Sequence, residues 1–466
     1  MTGPDPGPGT GRLGDAIARC RRRLRELQAH SRATSVAAAV VRRGEPVYVD
    51  SVGLADAETG RAATEDTQYR IGSITKTFTA VLVLQLRDAG RLDLDDRLDL
   101  HLPDTRHGSV TLRQLLTHLS GLQREPGAGP GGEVWEALDA PEREEFLVGF
   151  EQAERVLPPY RRWHYSNLAY AVLGEVVARA SGDTWTAALH ERLLDPLQLR
   201  RTTVEPVEPA ARGYLSDPYA DLVHAEPPVP LRALAPAGQL WSTPVDLARW
   251  GAFLAAPDPA VLAPETLTEM RHLHGMADLQ RWTLGWGLGL MLYRRGDRVL
   301  HGHGGAMPGF LAGVACLAGG DGDAGDDPIA ATVLTNSGAG VDVEGLAGEL
   351  VEIWLAEEPR EPLEWRPGEP PPPAVAGLLG RWWSEGSEFV FSWRAGRLQA
   401  RSVDAPSHQP PAIFAPTGED RWVVASGREQ GEVLRIVRSP DGSVPRMYWA
   451  GYPLSRAVQV FGTPAD

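Results

Sequence analysis

The chain contains three short segments whose residue types could together carry out acyl transfer. They are Ser73-Ile74-Thr75-Lys76, Tyr165-Ser166-Asn167 and His303-Gly304-Gly305. A serine hydroxyl is a poor nucleophile until a base takes its proton, and a lysine can be that base only when its neutral form is favoured. The three segments together predict a serine acyl-transfer site whose base is Lys76 or Tyr165 rather than a histidine.

The first of these segments begins a strongly apolar stretch. Residues 73–89 are followed by Gly90, which is typical of a helix that ends at a glycine. Apolar residues cover nearly every face of this stretch, which predicts a helix buried in the middle of a domain. Lys76 falls on the same face as Ser73 one turn later. We therefore expect the apolar helix to desolvate the Lys76 amine and favour its neutral form.

The second segment supplies a phenol and an amide. We expect Tyr165 to lose its proton more easily beside an ammonium and to hand a proton to the leaving group. Asn167, on the same short turn, can fix Lys76 and bind a substrate carbonyl. Each motif alone also has an ordinary structural interpretation: Ser73 as a helix cap, Asn167 as a cap of the next helix and Tyr165 as a core aromatic residue. The conjunction of the motifs favours the catalytic interpretation.

The remaining patterns predict an α+β domain around this site. Residues 35–41 and 46–53 are typical of a β-hairpin. Segments with helical character follow between about residues 110 and 275, at 112–119, 141–157, 168–180, 184–194 and 244–254. Strand-like segments return at 284–293, 310–317 and 329–334. Strands at both ends with helices between them predict a sheet built from sequence-distant segments around a helical insertion.

Composition changes near the C-terminus predict further boundaries. We expect a disordered N-terminus at residues 1–11, a main domain at 12–360, a stiff Pro-rich linker at 361–373 and a C-terminal domain at 374–466. The last segment is rich in aromatic residues, with turn signals at Ala395-Gly396 and Asp441-Gly442. This pattern predicts a small domain of antiparallel β-strands that form a barrel.

Charge and composition exclude several classes of partner. The chain has 466 residues and a net charge of -15, which repels a phosphate backbone and argues against nucleic acid. No stretch approaches the roughly 20 apolar residues that span a bilayer, so we expect no membrane partner. The basic run at residues 19–25 lies on an amphipathic helical pattern and is interpreted as a solvated helix face.

Cysteine and histidine usage predicts neither disulfides nor metals. Cys20 and Cys316 are the two cysteines of the sequence, and His303 with His301 lacks a further ligand at a recognisable spacing. We therefore expect no metal and no cofactor. The N-terminal residues lack the basic and apolar regions of a signal peptide, which favours a cytoplasmic location.

With these motifs, the sequence resembles the serine β-lactamase and penicillin-binding-protein superfamily. It is most similar to the branch of class C β-lactamases, DD-peptidases, D-aminopeptidases and β-lactamase-like esterases. Further segments that resemble this branch are residues 69–72, 92–103, 111–122, 236–240 and 303–306, so that the resemblance covers roughly residues 15–357. It implies a β-lactamase-like antiparallel sheet flanked by helices with a helical subdomain, and the Trp-rich tail resembles an appended lipocalin-like barrel.

The resemblance also implies roles for residues of this sequence. Ser73 would be the acylated nucleophile, Lys76 and Tyr165 the base and proton shuttle, and Asn167 an orienting amide. The backbone N–H groups of Ser73 and Ala306 would form an oxyanion hole. His303 and Gly305 would lie on the strand edge beside the substrate.

One departure from the family pattern bears on the substrate. Many β-lactamases and DD-peptidases carry a lysine at the His303 position, and a neutral histidine pairs more weakly with a substrate carboxylate. We therefore expect a hydrolase of small esters or amides, with an acyltransferase or a β-lactamase or DD-peptidase as alternatives. A catalytically inactive binding module is disfavoured because Ser73, Lys76, Tyr165 and His303 are all present. The oligomeric state is left open.

Overall fold

The protein is described by a computed structural model that covers residues 8–126, 134–319, 327–357, 364–406 and 409–458, with side chains described from residue 14. The chain divides into two compact units, Met1–Pro362 and Leu363–Asp466. The first unit contains the three segments that carry the proposed chemistry. The second unit is a separate β structure.

The first unit has thirteen strands among its described residues, and the nine that form its large sheet come from both ends of its sequence. The thirteen strands are β1 (Ser35–Arg42), β2 (Glu45–Asp56), β3 (Arg61–Ala62), β4 (Tyr69–Arg70), β5 (Tyr214–Ser216), β6 (Val223–Ala225), β7 (Trp241–Ser242), β8 (Gly275–Met276), β9 (Leu284–Trp286), β10 (Met291–Arg295), β11 (Arg298–Met307), β12 (Phe310–Leu317) and β13 (Ile329–Thr335). Nine of them form one antiparallel sheet in the order β3-β2-β1-β13-β12-β11-β10-β9-β8 within the described residues.

Helices pack on this sheet and fill the insertion between its two halves. They are α1 (Pro8–Ser31), α2 (Thr75–Asp88), α3 (Leu112–Leu116), α4 (Val134–Ala137), α5 (Arg143–Phe150), α6 (Asn167–Ser181), α7 (Trp185–Leu189), α8 (Ala235–Gly238), α9 (Pro244–Ala255), α10 (Pro264–Met270) and α11 (Val343–Glu357). Three-residue 3-10 turns occur at Gly72–Ile74, Leu98–Leu100 and Arg232–Leu234, and a π turn at His190–Leu194.

Strand β1 is buried along its whole length because helices cover both faces of the sheet. Side chains alternate between the two faces of a strand. Val36, Ala38 and Val40 pack with α1 and α11. Ala39 and Val41 pack with Ala248 of α9 on the opposite face. The apolar composition of β1 therefore fits a central strand with two buried faces.

Helix α2 is the central helix of the first unit. All of its residues from Thr75 to Leu84 are buried, and Phe78 stacks on Trp250 of α9 with ring centroids 3.7 Å apart. Helix α8 comes close to α6, because a Cβ on Gly174 would lie 2.1 Å from a ring carbon of Pro236. This close approach brings the backbone of α8 beside the start of α2.

The predicted fold class is confirmed, with differences in several elements. Segment 141–157 is helical over Arg143–Phe150 alone, since Arg155 pairs with Leu122 in a β-bridge and that tertiary pairing overrides the helical pattern. Segment 284–293 is two strands, because Gly289 adopts a φ of +77° and the chain turns between them. Segment 184–194 ends in the π turn.

The N-terminal boundary also differs from the expectation. Helix α1 begins at Pro8, inside the segment 1–11 that was expected to be disordered. Proline is compatible with the first turn of a helix, where its missing N–H has no helical partner to lose. Residues 1–7 lie outside the described residues.

The second unit is a closed barrel of eight antiparallel strands, which confirms the predicted C-terminal β domain. A short helix, α12 (Pro373–Ala376), precedes it. The strands are β14 (Gly380–Ser384), β15 (Ser387–Arg394), β16 (Arg397–Ser402), β17 (Ala412–Gly418), β18 (Arg421–Ser426), β19 (Val433–Val437), β20 (Arg446–Trp449) and β21 (Tyr452–Ser455). Each strand pairs with the next in sequence, and β14 pairs with β21 to close the barrel.

Candidate active site

Ser73 and Lys76 lie at the junction between a tight turn and helix α2. Ser73 is the middle residue of the 3-10 turn Gly72–Ile74, so it precedes the α-helix rather than opening it. Lys76 lies in the first turn of α2 and is completely buried. Its Nζ lies 3.0 Å from Ser73 Oγ. The expected pairing of the hydroxyl with the amine is therefore present.

Two further oxygen atoms hold the Lys76 amine in place. Its Nζ donates to Oδ1 of Asn167 at 2.7 Å and to the carbonyl oxygen of Ala237 at 2.6 Å. Ala237 belongs to α8, and its carbonyl reaches the amine because Gly174 lets α8 approach closely. The sequence indicated Asn167 as a partner of Lys76 but gave no signal for a backbone carbonyl.

Burial decides the protonation state of this amine. Desolvation lowers the pKa of Lys76 well below its usual value of 10.5. The carboxylate of Glu125 acts in the opposite direction, and the guanidinium of Arg124 adds to the decrease. Because the decrease dominates, the neutral amine is accessible much closer to neutral pH than in a free lysine.

Tyr165 behaves differently from the sequence-based expectation. Its pKa is raised, because burial outweighs the opposing effects of the Ser73 side chain and of Arg124. The Lys76 amine lies over the face of the Tyr165 ring, 5.0 Å from its centroid. The expectation that the lysine would make the phenol more acidic was wrong, because desolvation of the phenolate is the larger effect. Tyr165 therefore keeps its proton at neutral pH.

The turn that carries Tyr165 and Asn167 leads directly into α6. Ser166 is the N-cap of this helix, and its side chain accepts the N–H of Ala169 at 3.0 Å. Asn167 therefore does not cap the helix, and both the oxygen and the nitrogen of its side-chain amide form hydrogen bonds to other residues. Its Oδ1 accepts from Lys76, while its Nδ2 donates to Oε1 of Glu125 at 2.5 Å.

Strand β11 passes very close to the turn that carries Ser73. A Cβ on Gly72 would lie 2.7 Å from the backbone nitrogen of Ala306, and a Cβ on Gly305 would lie 3.3 Å from the backbone nitrogen of Ser73. The backbone nitrogens of Ser73 and Ala306 therefore lie on neighbouring segments. Glycine is required at both positions for this approach, and Gly72 also has a φ of +50°.

His303 lies on β11 and is buried against aromatic rings. Its exposed fraction is 2%, and its ring packs edge-on against Trp286 with centroids 5.3 Å apart. Its Nδ1 lies 2.5 Å from the carbonyl oxygen of Gly304, to which it donates. Burial lowers the pKa of His303 to about 3, and Lys76 contributes to the decrease. His303 is therefore uncharged at neutral pH, as the sequence suggested.

His118 is a site residue for which the sequence gave no role, although it lies in one of the segments that resemble the family. It is completely buried, and its ring lies 4.4 Å from that of Tyr165. Its Nδ1 accepts the backbone N–H of Ser166 at 3.1 Å. Burial lowers its pKa well below 6.5, with Lys76 as the second cause. A neutral His118 thus anchors the turn between Tyr165 and Asn167.

Ser73 opens onto a cleft of about 1050 Å³. Its walls are largely apolar and aromatic and include Trp135, Trp163, Trp286, Met291, Met307 and Leu311. Charged groups also line it, namely Arg124, Glu125, Asp342 and Glu344. Apolar walls with a few convergent polar groups are typical of small-molecule sites.

The described residues offer no group of three or more His, Cys, Asp or Glu side chains that could hold a metal ion. Among the helices of the described ranges, none combines the length and the apolar character needed to cross a membrane.

Comparison with known families gives two matches along the chain. The family model described as Beta-lactamase matches residues 20–352. A second model, described as a domain of unknown function, DUF7586, matches residues 371–456. The first match includes Ser73, Lys76, Tyr165, Asn167 and His303.

Individual relatives carry the names of different hydrolases and binding proteins. Penicillin-binding protein 4 from Amycolatopsis lactamdurans is 29% identical over 362 residues, which are 72% of this chain and 89% of that protein. Esterase EstB from Burkholderia gladioli is 37% identical over 193 residues, or 38% of this chain and 49% of the esterase. The structure of D-amino acid amidase from Ochrobactrum anthropi SV3 is 26% identical with a TM-score of 0.59, and the match covers 74% of this chain and 98% of the amidase.

Proposed function

The chain belongs to the Beta-lactamase family, and on that premise we propose that it is a serine hydrolase that acts through an acyl-enzyme on a small ester or amide. One observation carries the proposal. The Lys76 amine is fully buried, has a lowered pKa and lies 3.0 Å from Ser73 Oγ. A desolvated lysine beside a serine hydroxyl is a base placed to activate a nucleophile.

In the proposed reaction, neutral Lys76 takes the proton of the Ser73 hydroxyl as Oγ attacks the substrate carbonyl carbon. The carbonyl oxygen becomes an oxyanion that the backbone N–H groups of Ser73 and Ala306 stabilise, and one such donor typically contributes about 3–4 kcal/mol. The close approach at Gly72 and Gly305 supports this placement, because it brings the two backbone segments that carry these nitrogens next to each other.

Departure of the leaving group requires a proton. Tyr165 supports this step, because its raised pKa keeps the phenol protonated and the Ser73 side chain is close enough to interact with it. The phenol donates its proton to the leaving oxygen or nitrogen as the bond to the carbonyl carbon breaks. Water then attacks the carbonyl carbon of the acyl-enzyme and gives its proton to the deprotonated Tyr165. The bond between this carbon and Ser73 Oγ breaks as protonated Lys76 returns its proton to Oγ, which restores the enzyme and releases the acid.

The cleft supports esters and amides with an apolar acyl group. Trp135, Trp163 and Trp286 supply large apolar surfaces near Ser73. His303 is neutral, so it offers no cation for a carboxylate at the position where many relatives in this family carry lysine. A substrate that lacks an obligatory carboxylate therefore fits this side of the cleft best.

A peptidase or β-lactamase function is the second candidate, and the position of Arg124 favours it. This side chain is 63% exposed, lines the cleft and lies over the Tyr165 ring, with its guanidinium carbon 5.0 Å from the ring centroid. Its Nε lies 3.6 Å from Glu125 Oε1, and its exposed guanidinium is a cation in the cleft that is available to a substrate carboxylate. Changing Arg124→Gln would weaken binding of a D-alanyl-D-alanine dipeptide far more than that of an uncharged ester.

The experiment that tests the proposal is intact-mass measurement with peptide mapping. The protein is incubated with p-nitrophenyl esters, nitrocefin and D-amino acid amides in separate reactions. We expect an acyl adduct on the peptide that contains Ser73, formed fastest with an ester, and no adduct or turnover in Ser73→Ala. Equal turnover by the Ser73→Ala variant, or an adduct on another residue, would refute the assignment.

A further inference from the structure

The eight-stranded barrel has two ends that differ in how they are closed. At one end, Leu378 after α12 packs into the barrel core, and its carbonyl accepts the indole N–H of Trp382 at 2.7 Å. The guanidinium carbon of Arg456 lies 3.8 Å from the centroid of the Trp382 ring. Arg456 also donates to backbone carbonyls of Gly377, Leu379 and Arg381. This end is therefore filled by side chains of the barrel itself.

The other end contains a cavity of about 490 Å³. In an up-and-down barrel, alternate connections between strands lie at the same end. The four connections β14–β15, β16–β17, β18–β19 and β20–β21 all contribute residues to the lining of this cavity. Small-molecule cavities in proteins span about 300–1,000 Å³ and occur in the mouths of β-barrels. An eight-stranded barrel is just wide enough to hold one small ligand.

Small side chains create the space in this cavity. The floor is apolar and consists of Phe389, Ala400, Ala412, Trp449 and Leu454. Ala400 and Ala412 point inward and are buried, whereas the neighbouring inward positions on the same strands, Leu398 and Phe414, carry larger side chains that fill the core. Two alanines at one level of the barrel therefore leave room where the levels below are filled.

A large aromatic ring forms part of this floor. Trp449 is 9% exposed, and its ring is held edge-on by Phe414 and Phe389 at centroid distances of 5.2 and 5.6 Å. A ring fixed in this way offers a preformed apolar surface, and apolar and aromatic side chains predominate in the lining of small-molecule pockets.

Charge limits what the cavity can hold. The charged lining residues are rim residues of both signs, namely Glu385, Arg401, Asp404, Arg428 and Glu429. Arg401 donates to the carbonyls of Ala405 and Pro406, at 3.3 and 2.6 Å, so its guanidinium is engaged with the rim loop. A charged group on the apolar floor would lack a counter-charge, and burying it there would be costly.

We propose that the open end of the barrel is a binding site for an uncharged small molecule with a flat apolar body. This site belongs to the C-terminal unit alone and is independent of the serine chemistry. It gives the second unit a ligand-binding role.

The test uses the full chain and Nile red, an uncharged dye with a flat and largely apolar ring system. We expect saturable binding of one dye per chain, with the fluorescence change used to measure Kd. Ala412→Phe fills the floor and raises Kd about tenfold or more. Ala400→Leu fills the floor from the neighbouring strand, where Ala400 pairs with Ala412, and raises Kd to a similar extent.

Ala425→Phe is the matched control, since Ala425 lies on β18 with its side chain exposed on the outer face of the barrel. This variant is expected to bind the dye with unchanged Kd. Circular dichroism and thermal melting establish that each variant is folded, and Ala400→Leu decides the outcome if Ala412→Phe does not fold. The proposal is overturned if the wild-type chain binds no dye saturably, or if the folded cavity variants bind it as the wild type does. If the dye bound in the active-site cleft instead of the barrel, the folded cavity variants would bind it as the wild type does, and the proposal would be overturned.

Discussion

A Cβ on Gly305 would lie 2.0 Å from the carbonyl oxygen of Ile71, so the backbone of β11 can approach the Ser73 turn only because residue 305 is glycine. The obstacle is backbone rather than a flexible side chain, and it cannot move without displacing the turn. The distance between the two proposed oxyanion-hole nitrogens, those of Ser73 and Ala306, therefore depends on Gly305.

We expect Gly305→Ala to reduce kcat about a hundredfold or more, comparable to the loss of one oxyanion donor. Relief of the clash should also cost about 1–3 kcal/mol in the free energy of unfolding. The measurements are ester turnover and urea unfolding. Gly149→Ala is the control, because a Cβ at Gly149 meets no atom within 4 Å. Full activity in Gly305→Ala would contradict the proposed position of the oxyanion hole.

Ser73 and Lys76 should behave as one unit. We expect Ser73→Ala and Lys76→Ala each to remove most of the turnover, and the double variant to be no slower than either single one, because residues that act in one proton transfer are not additive. Steady-state kcat/KM with a p-nitrophenyl ester measures the three variants. Multiplicative losses in the double variant would show that the two residues act independently.

The pH dependence should follow the protonation of Lys76. Its neutral form is the base, so kcat/KM is expected to rise with pH through the lowered pKa of this amine and then level off. Glu125→Gln removes a carboxylate that raises this pKa, so the acid limb should move to lower pH. Arg124→Gln removes a cation that lowers the pKa, so the limb should move to higher pH.

The control for these pH profiles is His303→Gln. Because its pKa is about 3, His303 does not titrate in the pH range where kcat/KM is expected to rise. Replacing it should therefore leave the shape of the pH profile unchanged. Shifts of equal sign in Glu125→Gln and Arg124→Gln would argue against Lys76 as the titrating base.

His118 is expected to act as a positioning residue for the turn that carries Tyr165. His118→Leu leaves the N–H of Ser166 buried without an acceptor, which costs about 1–3 kcal/mol of stability and should lower kcat. His118→Asn restores an acceptor, and asparagine tolerates the φ of +58° at this position. Turnover and urea unfolding of both variants are the measurements. Equal losses in the two variants would mean that the hydrogen bond to Ser166 is not what matters.

Local patterns were sufficient for much of the fold. Thr243 accepts the N–H of Asp246 and Pro244 occupies the first turn of α9, so neighbouring residues set the start of the predicted helical segment 244–254. Gly90 follows α2 with a φ of +67°, the conformation that a glycine after a helix adopts most readily. These features involve residues within one turn of each other, and the same contacts form wherever the segment lies.

The errors occurred where distant segments decide the local structure. Residues 151–157 leave the helical pattern because of pairing with Leu122, and Tyr165 is less acidic than expected because of the groups that bury it. Neither the desolvation of a side chain nor the partner of a strand is written in the residues next to it. Such effects depend on the complete fold.

The sequence by itself determined that a serine and a lysine one helical turn apart stand at the start of a buried helix, because spacing along a helix is a local property. Only the tertiary structure decided that Asn167 and the carbonyl of Ala237 reach the same amine, that His118 holds the Tyr165 turn, and that the barrel is filled at one end and open at the other. These outcomes depend on backbones that are far apart in the chain and close in space, and their distances are set by the packing of the whole unit.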